Sequence, residues 1–114
     1  MQPLCITAFS VTCAAGGGVI ELASALRNRR GGLRPNDFTD VPLPTFIGRV
    51  AGLEQLELPS FLADWDCRNN RLAWMALQCD GFFSRALAAR DRYGAARVAL
   101  VLGTSTSSIG ATEE

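Results

Sequence analysis

The 114-residue chain has no lysine and no histidine, so all eleven of its basic side chains are arginines. Within these residues that excludes Ser-His-Asp and Cys-His activation of a nucleophile, the HExxH zinc site and the phosphate-binding lysine of a P-loop. Any chemistry that needs an imidazole must take it from other sequence. The four cysteines, Cys5, Cys13, Cys67 and Cys79, form no CxxC pair, which removes zinc-ribbon and thioredoxin-type spacing. Two disulfides are possible by count. Met1-Gln2-Pro3 lacks the basic start of a secretory leader, however, so reduced thiols in a cytoplasmic protein are the expectation. No apolar run has the length needed to span a bilayer. The net charge of zero also leaves the chain without the basic surface that general nucleic-acid binders use to displace counterions from phosphates.

What is present is a core-forming composition, 48% hydrophobic, long enough for one small domain. Leu4 to Thr12 is β-branched and apolar and reads as a first strand, buried on both faces. A small-residue turn, Ala14 to Gly18, leads into a helix from Val19, with Val19, Leu22, Ala23 and Leu26 at helical spacing. Arg27, Arg29 and Arg30 suit the C-terminal end of its dipole, and Gly31-Gly32 supply a left-handed stop. Residues 33 to 45 hold three prolines and read as a surface excursion. Phe46 to Ala51 is a short strand candidate, and Pro59-Ser60 opens a short helical turn within Leu56 to Asp66.

The strongest helical pattern runs from Asn70 to Arg92, with Asn69 or Asn70 available as a cap. Leu72, Met75, Ala76, Cys79, Phe82, Phe83, Ala86 and Leu87 form one stripe, and Trp74, Leu77, Gly81 and Ala88 a second. A helix apolar on two sides is expected between layers, with Gly81 marking a close backbone approach. Tyr93-Gly94 ends it, and Arg97 to Leu102 reads as a buried strand entering the Gly/Ser/Thr turn Gly103 to Gly110. Glu113-Glu114 would suit the first turn of a following helix, so the chain reads as the front part of a larger protein. Strands alternating with helices imply an α/β sheet.

Each candidate motif has two readings. Gly16-Gly17-Gly18 before a helix would let backbone N–H groups approach a pyrophosphate, but the spacing is not GxGxxG, and a plain small-residue turn suffices. The hydroxyl-rich Gly103 to Gly110 segment either lines a ligand cavity at a sheet edge or is a polar turn. Cys13 has no histidine to activate it and reads as structural. Arg68 and Arg71 sit at the start of a helix, where the dipole disfavours cations. Either Asp64 and Asp66 answer them locally, or an acidic external partner does.

Taken in order, the strand Ile6 to Thr12 with its turn, the helix Leu22 to Gly32, the helix Arg68 to Ala89 and the segment Val98 to Gly110 with Glu113-Glu114 resemble the N-terminal part of β-ketoacyl synthases of the thiolase superfamily. The resemblance spans almost the whole chain and rests on order and spacing. It implies an αβαβα sandwich, of which residues 1–114 would be a partial N-terminal domain ending before the nucleophile. It also implies acyl transfer by decarboxylative condensation, no bound cofactor or metal, and a homodimer or a heterodimer with a related synthase subunit. The family's nucleophilic cysteine and two histidines come later in such chains, so no catalytic residue is assigned here, Cys13 included. Arg68 and Arg71 fall where the family docks an acidic acyl carrier protein. Thr106 falls where the family places a larger apolar residue at the base of the acyl pocket, which implies a deeper pocket or an unusual chain such as a polyene or polyketide intermediate. A chain-length-factor-like subunit without the nucleophile, or a Rossmann-type nucleotide-binding domain, are the alternatives.

Overall fold

The turn at Ala14-Ala15 folds the chain back on itself within two residues. In the computed structural model, which describes residues 3–38 and 43–104, β1 (Thr12–Cys13) pairs antiparallel with β2 (Gly16–Gly17) across it. Gly18 then leaves at φ 121° and opens α1 (Val19–Arg27). A side chain there would be strained, so the glycine is needed for its backbone. Of the expected apolar stripe Val19, Leu22 and Ala23 are half-buried. The fully covered position is Ala25, while Leu26 stays exposed.

The C-terminal stop of α1 comes earlier than Gly31-Gly32. Arg29 itself takes the left-handed conformation, φ 53°. Its N–H donates to the Leu26 carbonyl at 3.1 Å, and the Arg30 N–H reaches the Ala25 carbonyl at 2.8 Å. These are the two bonds of a Schellman motif, formed here without glycine. Gly32 serves close packing instead. A Cβ on it would lie 2.3 Å from the Ala14 carbonyl carbon and 2.5 Å from the Ala15 nitrogen. Only a hydrogen fits where the two backbones meet.

β3 (Leu33–Pro35) follows at once and pairs antiparallel with β4 (Phe46–Gly48), with Arg34 opposite Ile47. The expected excursion therefore contains a strand. Asn36 ties off the open end, its N–H donating to the Thr45 carbonyl at 2.9 Å and its Oδ1 accepting from the Phe38 N–H at 3.1 Å. A 3-10 turn at Leu53–Gln55 buries Leu53 completely, and a second, Ser60–Trp65, follows Pro59 as the sequence indicates.

The long helix is two helices, α2 (Arg68–Gln78) and α3 (Phe82–Tyr93). Asp80 (φ 56°) and Gly81 (φ 66°) are both left-handed, which breaks the ladder between them. A Cβ on Gly81 would have no neighbour within 4 Å, so its role is the break and not the close contact expected of it. Neither asparagine caps α2. Cys67 holds the N-cap position, and Asn70 Nδ2 donates instead to the Trp65 carbonyl at 2.7 Å. Trp74 of α2 meets Phe61 and Phe83 edge-on, with ring centroids 6.3 and 5.6 Å away.

The two strands that should have flanked these helices are not formed. Residues 4–11 and 98–102 carry no ladder, and Leu4, Ile6, Leu100, Val101 and Leu102 are each more than 80% exposed. A strand exists only through a partner's backbone groups, and neither segment pairs with another among the described residues. The first segment is held only near its end: Ser10 Oγ donates to the Ala76 carbonyl at 2.9 Å, and Thr12 Oγ1 lies 3.1 Å from Cys79 Sγ. Helices with two small antiparallel sheets make a mixed α and β structure, and the described residues contain no parallel sheet. The α2–α3 pair is correspondingly uncovered, with Ala86, Leu87 and Ala88 exposed where a middle layer would bury them. The radius of gyration, 17.0 Å, exceeds the roughly 13 Å of a compact domain of about 100 residues.

Candidate functional site

The first turn of α2 brings Arg68 and Arg71 together three residues apart, on the end of the helix that repels cations. Each is answered from within the chain. Arg71 donates through Nε to Asp66 Oδ1 and through a terminal nitrogen to Asp66 Oδ2, both at 2.6 Å. This fork-on-carboxylate geometry is the strong form of an arginine pair. Hydrogen bonding by Arg71 holds the Asp66 carboxyl below its ordinary 3.8, outweighing the opposite effect of burial. The same bonds push the Arg71 guanidinium further up.

Arg68 donates through Nε to Glu54 Oε1 at 3.0 Å, and its guanidinium lies 4.8 Å from the Phe38 ring centre. Arg49 stacks on the same ring at 5.0 Å and donates to Asp37 at 3.2 Å, while Asp37 also pairs with Arg34 at 2.9 Å. A chain of alternating charge thus runs from Arg34 through Asp37, Arg49 and Glu54 to Arg68, with Phe38 beneath two of its cations. Asp66 is legible as a partner because it lies five residues from Arg71. Glu54 and Phe38 are not, because only the fold brings them to Arg68.

The small-residue turn before α1 is also occupied by the chain's own groups. The Val19 N–H faces both oxygens of Asp80 at 3.1 Å, and the Gly17 N–H donates to Glu21 Oε2 at 2.9 Å. Carboxylates of the chain itself therefore sit on two of the donors that a pyrophosphate would use. Cys13 is half-buried and lines an open cavity of about 490 Å³ with Glu21, Arg30 and Met75. None of the four cysteines is in a disulfide, and no cluster of potential metal ligands occurs among the described residues. Thr106 and most of the Gly103 to Gly110 turn lie outside the described residues. No helix among the described residues is long and apolar enough to cross a membrane. No protein-family model matches the sequence, and no curated protein or solved structure is significantly similar to it.

Proposed function

We propose that this chain is the N-terminal segment of a β-ketoacyl-acyl-carrier-protein synthase, a cytoplasmic acyltransferase of fatty acid, polyketide or polyene synthesis. The observation that carries the reading is the pair of apolar, β-branched segments, residues 4–11 and 98–102, which form no ladder and leave Leu4, Ile6, Phe9, Leu100, Val101 and Leu102 exposed. Segments of that composition complete their hydrogen bonding and burial in a larger sheet. The reading also draws on the order of elements expected from the sequence, which resembles that of such a synthase.

In the full protein a cysteine thiolate would take the acyl group from its thioester. Two imidazoles would assist loss of carbon dioxide from a malonyl thioester, and the carbanion would attack the acyl-enzyme. The chain has no histidine, and this reading puts the nucleophilic cysteine beyond residue 114, so the segment alone would perform no condensation. Thr106 would stand at the base of the acyl pocket, and Arg68 and Arg71 would face the carrier protein. Both arginines keep part of their surface exposed, 43% and 30% of the side chain, so an acidic carrier would share them with Glu54 and Asp66.

The test is acylation followed by intact mass. The 114-residue chain should gain no acyl group from an acyl thioester, whereas a longer product of the same reading frame should gain one on a cysteine beyond residue 114. Acylation of the short chain would refute the reading, and a longer product without the cysteine would identify the chain-length-factor-like alternative. In the longer protein Arg68→Glu with Arg71→Glu should weaken carrier binding in a salt-sensitive way, and unchanged affinity would remove both residues from the interface.

A further inference from the structure

We infer that the break between α2 and α3 is a two-state hinge that α1 holds bent, so that release of α1 straightens residues 68–93 into one helix. Nothing in the local sequence demands the break. Residues 68–93 contain no proline, and the apolar stripes run across positions 79–81 without a change of phase. Gly81 alone is a poor helix former there. Asp80 nevertheless takes a left-handed conformation, φ 56° and ψ 15°, which is unfavourable for a residue with a Cβ. An outlier of this kind persists only where its surroundings hold it.

The holding contacts come from far along the chain. Gly18 occupies the N-cap of α1, which therefore has no side-chain cap from its own end. The Asp80 carboxylate takes that place, with the Val19 N–H 3.1 Å from both oxygens, where the helix dipole favours an anion. A Cβ on Gly18 would come within 3.2 Å of Asp80 Oδ1, so the bare backbone leaves room for the carboxylate. Ser10 Oγ donates to the Ala76 carbonyl, the group that an unbroken helix offers to the Asp80 N–H, and Thr12 Oγ1 lies against Cys79 Sγ. Arg85 lines a cavity with Asp80 but forms no ion pair with it, so the carboxylate answers to α1.

The bend brings together two rings that an unbroken helix would separate. Trp74 and Phe83 lie on either side of the break, and continuous helix between them would set them on opposite faces, about 13.5 Å apart along the axis. Their ring centroids are 5.6 Å apart. Each arrangement carries its own penalty. The bent form strains Asp80 and interrupts the ladder, whereas the straight form places Gly81 in a helix interior and leaves the Val19 N–H uncapped. The contact between Asp80 and α1 therefore decides between them, and by linkage whatever displaces α1 redirects α3. The inference stands independently of the synthase reading.

The experiment is solution NMR of the 114-residue chain and of two variants that open the contact from opposite sides. Asp80→Ala removes the carboxylate. Val19→Pro removes the N–H and keeps α1, because proline suits the first helical position and Gly18 before it has an extended ψ of 160°. The wild type should show cross-peaks between the Trp74 and Phe83 rings and a non-helical Cα shift at Asp80. In both variants the cross-peaks should vanish and helical Cα shifts should run unbroken from residue 68 to 93. Asp80→Ala should also speed exchange of the Val19 amide several-fold, whereas Asp80→Asn, whose side-chain oxygen can still cap, should keep the bend. Cross-peaks that persist in Val19→Pro would overturn the inference, because the break would then be local to residues 79–81. A continuous helix in the wild type would overturn it too. Should Val19→Pro lose the helical shifts of α1, the comparison of Asp80→Ala with Asp80→Asn decides, and a bend kept equally in both would be the refuting result.

Discussion

Gly31 and Gly32 are adjacent and chemically identical, yet alanine should have opposite effects at the two positions. At Gly32 the added Cβ would lie 2.3 Å from the Ala14 carbonyl carbon, 2.4 Å from its oxygen and 2.5 Å from the Ala15 nitrogen. These are backbone atoms of the turn joining β1 to β2, so no side-chain rotation relieves the overlap, and one hairpin must move off the other. Overpacking of this kind costs about 1–3 kcal/mol, and the rigidity of the neighbours places Gly32→Ala at the upper end. At Gly31 nothing lies within 4 Å of the new methyl group, and the backbone is outside the left-handed region. Gly31→Ala should therefore stabilise by about 0.4–1 kcal/mol, because the unfolded chain loses freedom while the folded chain loses nothing. Urea unfolding followed by the fluorescence of Trp65 and Trp74 measures both. With a slope of about 1–1.5 kcal/mol/M, Gly32→Ala should lower the midpoint by about 1.5 M or more, and Gly31→Ala should raise it by a few tenths of a molar. Equal shifts of the two variants, or a tolerated Gly32→Ala, would refute the close packing of the hairpins on Ala14.

Two further outcomes follow from local geometry. Arg29→Gly should stabilise by about 0.5–1 kcal/mol in the same urea assay, since glycine removes the left-handed penalty at the end of α1 and gives back only part of it as unfolded-state entropy; a loss of stability would mean that Arg29 is not left-handed. The Asp66–Arg71 pair should make stability fall in acid. The folded carboxyl is held below its ordinary 3.8, so the stabilisation is fully present above that value and is lost as pH falls through the lower, folded value. Unfolding midpoints measured between about pH 6 and pH 2 should show this loss in the wild type and a smaller one in Asp66→Asn, and identical profiles would dismiss the pair.

The parts of the fold legible in the sequence are those made by near neighbours. The start of α1 at Val19, the turn at Pro59-Ser60 and the end of α3 at Tyr93-Gly94 follow from spacing, caps and glycine, because helical bonds join residues four apart. The break at Asp80 is hidden because the apolar pattern continues across it, and because the group that engages Asp80 is the Val19 N–H, 61 residues away. Gly81 stands out in the sequence as a site of close contact, and the chain uses it for conformation. Gly32 stands out for conformation, and the chain uses it for contact.

The candidate site divides in the same way. The misplacement of Arg68 and Arg71 against the helix dipole is a property of the sequence, and so is the need for anions beside them. Which anions those are was decided by tertiary structure: Asp66 by a local turn, and Glu54 with Phe38 by the packing of the β3–β4 hairpin side of the molecule against α2. The fold leaves Arg27, Arg29, Arg30, Arg85, Arg90, Arg92 and Arg97 without a carboxylate partner among the described residues, although in sequence they look no different from the paired arginines. By itself the sequence determined which residues could be helical and which charges needed partners, since both depend on near neighbours or on composition. Only the tertiary structure decided that residues 4–11 and 98–102 form no strand here and where positive charge remains open, because ladders and ion pairs join segments that lie far apart along the chain.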